Sequence, residues 1–146
     1  MLVRLLSNQI RDHEVIINET IDKTIPEYQE KMRTKLFEEL LFGTAQCWLL
    51  TDEYNKFNSV CITKVEEDTA TGGKKCVLIS GYAPNGITNG SASVYAGWEV
   101  VSKFASSQGC DRIAMYTNNP EVTKYLHMFD RIWQTEYHEI RLNKEN

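Results

Sequence analysis

Positive charge is scarce where a polyanion binder would need it. Lys and Arg number 16 against 20 Asp and Glu, a net charge of −4, and none falls between Lys75 and Lys103. A nucleic-acid backbone asks for a basic face, so no direct nucleic-acid partner is expected. Long apolar runs are missing too; none approaches the ~20 residues of a bilayer-spanning helix. The opening MLVRLLSNQIRDHEV turns polar before a signal-like apolar region forms. No membrane partner is expected. Cys-x-x-Cys pairs are also lacking. The four cysteines, Cys47, Cys61, Cys76 and Cys110, stand 14, 15 and 34 positions apart. That spacing gives no zinc or dithiol redox motif. Three sit in apolar strand-like runs, where a reduced thiol acts as a small hydrophobe. Free thiols and a reducing, cytoplasmic location are expected. His13, His127 and His138 come from three separate segments without ligand spacing, so no metal site is expected.

What remains is an ordinary globular composition. The chain has 146 residues, 42% hydrophobic and 25% charged, enough for one domain with its own core. Neither an internal repeat nor a linker divides it, so residues 1–146 are expected to form a single domain.

The pattern along the chain alternates strands and helices. LVRLL is a short strand candidate, and Ser7 or Asn8 could cap a helix to about Thr24 with Ile10, Ile17 and Ile21 on one face. Pro26 suits the first turn of a second helix and Gly43 its end. Tyr28, Met32, Leu36 and Leu40 recur every four residues between them, with Phe37 and Leu41 alongside. Three strands follow in AQCWLLT, FNSVCITKV and KKCVLISGY, separated by the turn-like DEYNK and EEDTATGG. A third helix from about Ser91 carries Val94, Trp98, Val101 and Ala105 and closes at Gly109. RIAMYT is a strand, Asn119-Pro120 opens a helix with Val122, Tyr125, Leu126 and Phe129, and WQTEYHEIRL is a final strand. The order β-α-α-β-β-β-α-β-α-β predicts an α/β fold with a mixed central sheet and helices on both faces. KKCVLISGY to RIAMYT would be a right-handed parallel crossover.

Some charged and aromatic residues invite a local reading. Glu66, Glu67 and Asp68 read as a solvated hairpin tip. Glu38 and Glu39 lie near a helix C-terminus, where the dipole disfavours them; a solvated surface is the first reading, and the local cost hints at a basic partner as the second. Trp48, Trp98 and Trp133 lie on apolar patterns and read as core.

At YAPNGITNGSASVY, residues 82 to 95, a strand end passes through a glycine-bearing loop into a helix. Two readings stand: Ser91 caps the helix after turn glycines Gly86 and Gly90, or the loop cradles a phosphate. Pro84, Gly90 and Ala92 resemble the Pro-x-x-[Gln/Arg]-x-x-Gly-x-[Gly/Ala] junction of the GCN5-related N-acetyltransferase (GNAT) superfamily, with Ile87 in the Gln/Arg place. Gly109 resembles the family's glycine before the next strand, and Asn119 with Val122 its Asn-x-x-Ala.

The resemblance covers nearly the whole chain by element order. It implies a GNAT fold and two central strands that splay where an acyl-coenzyme A inserts. Ile87, Gly90, Ser91, Ala92 and Asn119 would then be the cofactor-binding positions, with backbone N–H groups holding the pyrophosphate. The family's acidic Tyr in the last helix maps onto Leu126, with Tyr125 beside it. Tyr82, Tyr116 and Tyr125 are the catalytic candidates, and LISGY offers no carboxylate or His as base.

With its motif eroded, the chain also resembles short GNAT-like proteins of tailed bacteriophages, the internal virion type. That implies a catalytically degenerate binding or assembly component, virion-associated, meeting a protein partner through the C-terminal strand and the NKEN tail. The alternative is an active acetyl-CoA-dependent N-acetyltransferase.

Overall fold

The first strand is brief because LVRLL is followed at once by Ser7. In the computed structural model β1 (Leu2–Leu5) gives way to α1 (Ser7–Ile10), a 3-10 turn (Arg11–His13) and α2 (Glu14–Thr24). The single helix expected over this stretch is therefore interrupted. The structure describes residues 2–25, 29–51, 54–84, 90–116 and 120–127, and the isolated residues 129, 132, 138, 140 and 142. For residues 90–96, 121, 122 and 125 only the backbone is described. Pro26, Tyr28, Trp133 and the final strand expectation lie outside the described residues.

Next come α3 (Glu30–Phe42), β2 (Ala45–Thr51), β3 (Phe57–Glu67), β4 (Lys74–Tyr82), α4 (Gly90–Ser107), β5 (Arg112–Met115) and α5 (Pro120–Leu126). Met1–Tyr116 and Thr117–Asn146 form two compact units; the first holds the sheet and the second holds α5.

The five strands lie in the order β1-β2-β3-β4-β5. Every pairing is antiparallel except β4 with β5, which is parallel. The mixed α/β sheet expected from the element order is present.

Alternation along β2 and β3 sends Ala45, Cys47, Val60 and Ile62 into one apolar cluster. Ile10, Ile17, Ile21 and Ile25 join it from α1, α2 and the end of α2, and Leu36 and Leu40 from α3. The three- and four-residue spacing of these helical positions puts them on one stripe of each helix. Met32, expected on that stripe, is instead exposed.

On α4, Phe104 meets Trp48 edge-on at 5.4 Å, and the Arg4 guanidinium lies 5.1 Å from the centre of the same ring. Trp48 is core, as expected. Trp98 is not; it is 37% exposed. A buried hydroxyl reconciles polar side chains with the core here. Thr63 accepts from Trp48 Nε1 at 2.9 Å and donates to Gln46 Oε1 at 2.9 Å.

Gly43 stops α3 with φ 82°, a left-handed conformation that side chains with a Cβ disfavour. Its N–H meets the Leu40 carbonyl, and the Thr44 N–H meets Glu39 at 3.0 Å, closing the helix end. The basic partner suspected for Glu39 is within the chain: Lys64 Nζ of β3 donates to its carboxylate at 3.0 Å. The free-thiol expectation holds for Cys47, Cys61, Cys76 and Cys110. No helix among the described residues is long and apolar enough to cross a membrane.

Candidate functional site

β4 and β5 run side by side for only part of β4. Their ladder pairs Lys75 with Arg112, Cys76 with Ile113, Val77 with Ala114 and Leu78 with Met115. β4 then continues from Ile79 to Tyr82. Among the described residues no β5 strand accompanies that stretch.

The point where the ladder stops is also irregular on the other side of β4. Ser80 faces Ile62 and Leu78 faces Thr63 in β3, so Ile79 is an extra residue. Such a β-bulge bends its strand and leaves an amide group out of the regular ladder. Among the described residues, ladder end and bulge therefore fall on adjacent residues, Leu78 and Ile79. Past Leu78, among the described residues, no β5 ladder pair engages the backbone N–H and C=O groups of Ile79–Tyr82 on that edge. Buried backbone polar groups need partners, and an extended ligand can supply them.

The opposite end of the β4–β5 pair is tied shut. The turn between β3 and β4 closes through the Asp68 N–H to Gly73 O at 2.9 Å. Asp68 Oδ1 accepts the Ala70 and Thr71 N–H groups at 3.0 and 3.2 Å. Its Oδ2 accepts the Thr71 hydroxyl at 2.6 Å and Arg112 Nη2 of β5 at 2.7 Å. Lys75 Nζ stands 3.8 Å away. Asp68 is thus a hub rather than the solvated tip expected of the EED run. The Thr71 hydroxyl bond, with the Thr71 and Ala70 amides and Arg112, holds its carboxyl well below the usual carboxylate range. The pair is fastened at the Arg112 end, and among the described residues its ladder runs as far as Leu78.

Helix α4 is the crossover between the parallel strands, so its N-terminus follows the Tyr82 end of β4. Gly90 is the first residue of α4, with Ser91 and Ala92 in its first turn, where no acidic residue stands. The first N–H groups of a helix have no partner within it and favour an anion. Ile87 and Asn119, the other cofactor-binding expectations, lie outside the described residues.

Of the catalytic candidates, Tyr82 ends β4 and packs half-buried against the core cluster. Tyr116 directly follows β5 and is exposed. Tyr125 lies in α5, in the second unit, and its side chain is not described.

Ser80 is buried on the helical face, within 2.8 Å of the Thr24 hydroxyl. Sequence reasoning looked along LISGY for a carboxylate or His base and overlooked this contact. The Asp68–Arg112 tie had no local signal, since the two residues are 44 positions apart.

The thiols beside the site are unsuited to nucleophilic work. Burial pushes Cys61, paired across from Gly81, up to about 12, with Cys47 and Cys76 adding to the rise. A protonated thiol is a poor nucleophile. His13 Nδ1 lies 2.9 Å from the Gln9 carbonyl of its own helical stretch. No group of three His, Cys, Asp or Glu side chains fit for a metal occurs among the described residues.

No family model and no curated protein matches the chain. Solved structures do match it. A probable acetyltransferase superposes with TM-score 0.68 at 11% identity, over 99% of each chain. The ribosomal-protein-alanine N-acetyltransferase of Brucella melitensis biovar Abortus superposes with TM-score 0.66 at 11% identity, over 97% of this chain and 99% of its own. A predicted acetyltransferase of Clostridium acetobutylicum, solved with acetyl-CoA, gives TM-score 0.65 at 14% identity, over 97% and 96%. The chain has the α/β fold of the GNAT acetyltransferases.

Proposed function

We propose that this chain binds an acyl-coenzyme A along the uncovered edge of β4 and acts as an N-acetyltransferase. The observation that carries the reading is the coincidence at Leu78 and Ile79: among the described residues the β5 ladder ends where β4 bulges. Backbone groups of Ile79–Tyr82 fit the amide-bearing pantetheine arm, which needs alternating donors and acceptors. The first turn of α4, at Gly90, Ser91 and Ala92, suits the pyrophosphate, which would meet backbone amides alone because no Lys or Arg lies nearby in sequence. When bound, the thioester supplies the activated acyl group. The chain's own part is to align it, exclude water from it and hold it against an amine.

The similar structures named as acetyltransferases support the reading at the level of the fold. Fold alone does not establish activity, so the test is direct. Isothermal titration with acetyl-CoA should give saturable binding at one site per chain. Absence of heat and of any thermal shift at millimolar acetyl-CoA would overturn it.

A second reading has its own observations. Leu78–Tyr82 carries Ser80 and Tyr82 as its polar side chains, with no carboxylate or imidazole to take the amine proton. Ile140 and Leu142 near the C-terminus are 90% and 95% exposed, an apolar pair suited to a protein partner. A chain that binds coenzyme A without turning it over, and serves assembly through that segment, satisfies both. The resemblance to phage virion proteins draws no support from the similar structures. Acetyl-CoA hydrolysis or transfer to a panel of amines, followed by free-thiol release, separates the two readings.

A further inference from the structure

Among the described residues the β5 ladder stops at Leu78, so the geometry of Ile79–Tyr82 calls for another restraint. One candidate is a run of hydroxyls along α2. Thr20, fully buried, donates to the Ile16 carbonyl at 2.8 Å. Thr24, the last residue of α2, lies 2.7 Å from the Thr20 carbonyl and 2.8 Å from Ser80 Oγ. A hydroxyl carries one proton and a carbonyl can only accept. When Thr24 donates to Thr20, the second contact is therefore made by Ser80 donating to Thr24.

Ser80 occupies a telling place. It is the first residue beyond the bulged Ile79 and is 3% exposed. A hydroxyl there must be desolvated on folding, whereas an Ala or Val would pack without that cost. The far side of the same helix end is held as well: Arg33 of α3 donates through Nε to the Ile25 carbonyl at 2.9 Å and pairs with Asp22 at 3.3 Å. The α2 terminus is thus fixed to α3, and Ser80 fixes the bulge to that terminus.

We infer that Ser80 and Thr24 form a positioning pair that sets the orientation of the Ile79–Tyr82 backbone for the acyl-coenzyme A ligand. The inference rests on the proposed function for the ligand's identity. Ser80 touches α2, so it acts through the strand and is not itself a catalytic residue. The pair replaces, on the helical side, the restraint that β5 gives to Lys75–Leu78 on the sheet side.

Four variants test it: Ser80→Ala, Thr24→Val, the double variant and Thr24→Ser. Each is read by amide hydrogen exchange without ligand, by acetyl-CoA affinity and by thermal melting. Ser80→Ala and Thr24→Val should each speed exchange at Ile79–Tyr82 and weaken acetyl-CoA about threefold to tenfold, the worth of one hydrogen bond. The double variant should be no worse than either single one, because both remove the same contact. Thr24→Ser should behave as wild type. Unchanged exchange at Ile79–Tyr82 in Ser80→Ala and Thr24→Val would overturn the pairing, as would losses that simply add. If wild type binds no acetyl-CoA, the proposed function fails and the ligand half of this inference falls with it; the exchange arm then judges the pin alone.

Discussion

Arg112 Nη2 of β5 donates to the Asp68 carboxylate at 2.7 Å and to the Gly72 carbonyl at 3.1 Å. One side chain thus ties the parallel strand to the antiparallel hairpin it follows by more than forty residues. The tie sits at the end of β5 away from the bulge, so it fixes where the two strands begin.

Asp68 makes the tie sensitive to acid. Its folded carboxyl titrates below its unfolded value, chiefly through the Thr71 hydroxyl, so its stabilisation is complete above the ordinary Asp value of about 4 and declines as pH falls below it. Urea unfolding at pH 7, 4 and 3 should show wild type losing stability more steeply than Asp68→Asn. Equal slopes would mean that the carboxylate is not the acid-labile group.

The thiols give the opposite sign at high pH. Burial pushes Cys47 and Cys61 up to about 12, above the unfolded thiol near 8.5. Their contribution is complete below pH ~8.5 and is lost as pH rises toward 12. Native protein at pH 8 should react slowly with an aromatic disulfide at both positions and quickly once unfolded. Rapid native labelling of Cys47 would contradict the burial.

Ile17 tests the core on which the site stands. It is fully buried between α2 and the sheet cluster. Ile17→Ala should cost about 2–5 kcal/mol through lost burial and the cavity left behind. Chemical denaturation would read it as a lower midpoint with an unchanged slope.

Ile87 tests the phosphate end of the site. Replacing it with Arg places a guanidinium three positions before Gly90, in a stretch of sequence with no other cation. Ile87→Arg should tighten acetyl-CoA by about 1.5–3 kcal/mol, the worth of charge-assisted bonds to phosphate. Equal affinity in titration calorimetry would place the pyrophosphate elsewhere.

Much of the fold was legible because its signals are local. AQCWLLT and KKCVLISGY matched β2 and β4 to the residue, since short apolar runs bounded by turn-like segments mark strands directly. Gly43 marked the end of α3 for the same reason. The 3-10 interruption at Arg11–His13 was not legible, because Ile10, Ile17 and Ile21 keep one apolar face through it. Trp98 misled because its position fits an apolar stripe whose outer margin is solvent-exposed. The site was legible only as a loop pattern. Gly90 does begin α4, but the features that define the open edge are the bulge at Ile79, the Ser80–Thr24 contact and the Arg112–Asp68 tie. Each arises from residues distant in sequence, so no window along the chain contains it.

The central claim, that acyl-coenzyme A lies along β4 beyond the bulge, is tested most directly by amide NMR during an acetyl-CoA titration. The account predicts saturable shifts largest at Ile79–Tyr82 and at Gly90–Ala92, with Lys75–Leu78 little changed because β5 already covers it. Saturable shifts confined to other parts of the chain, or none at millimolar acetyl-CoA, would contradict it.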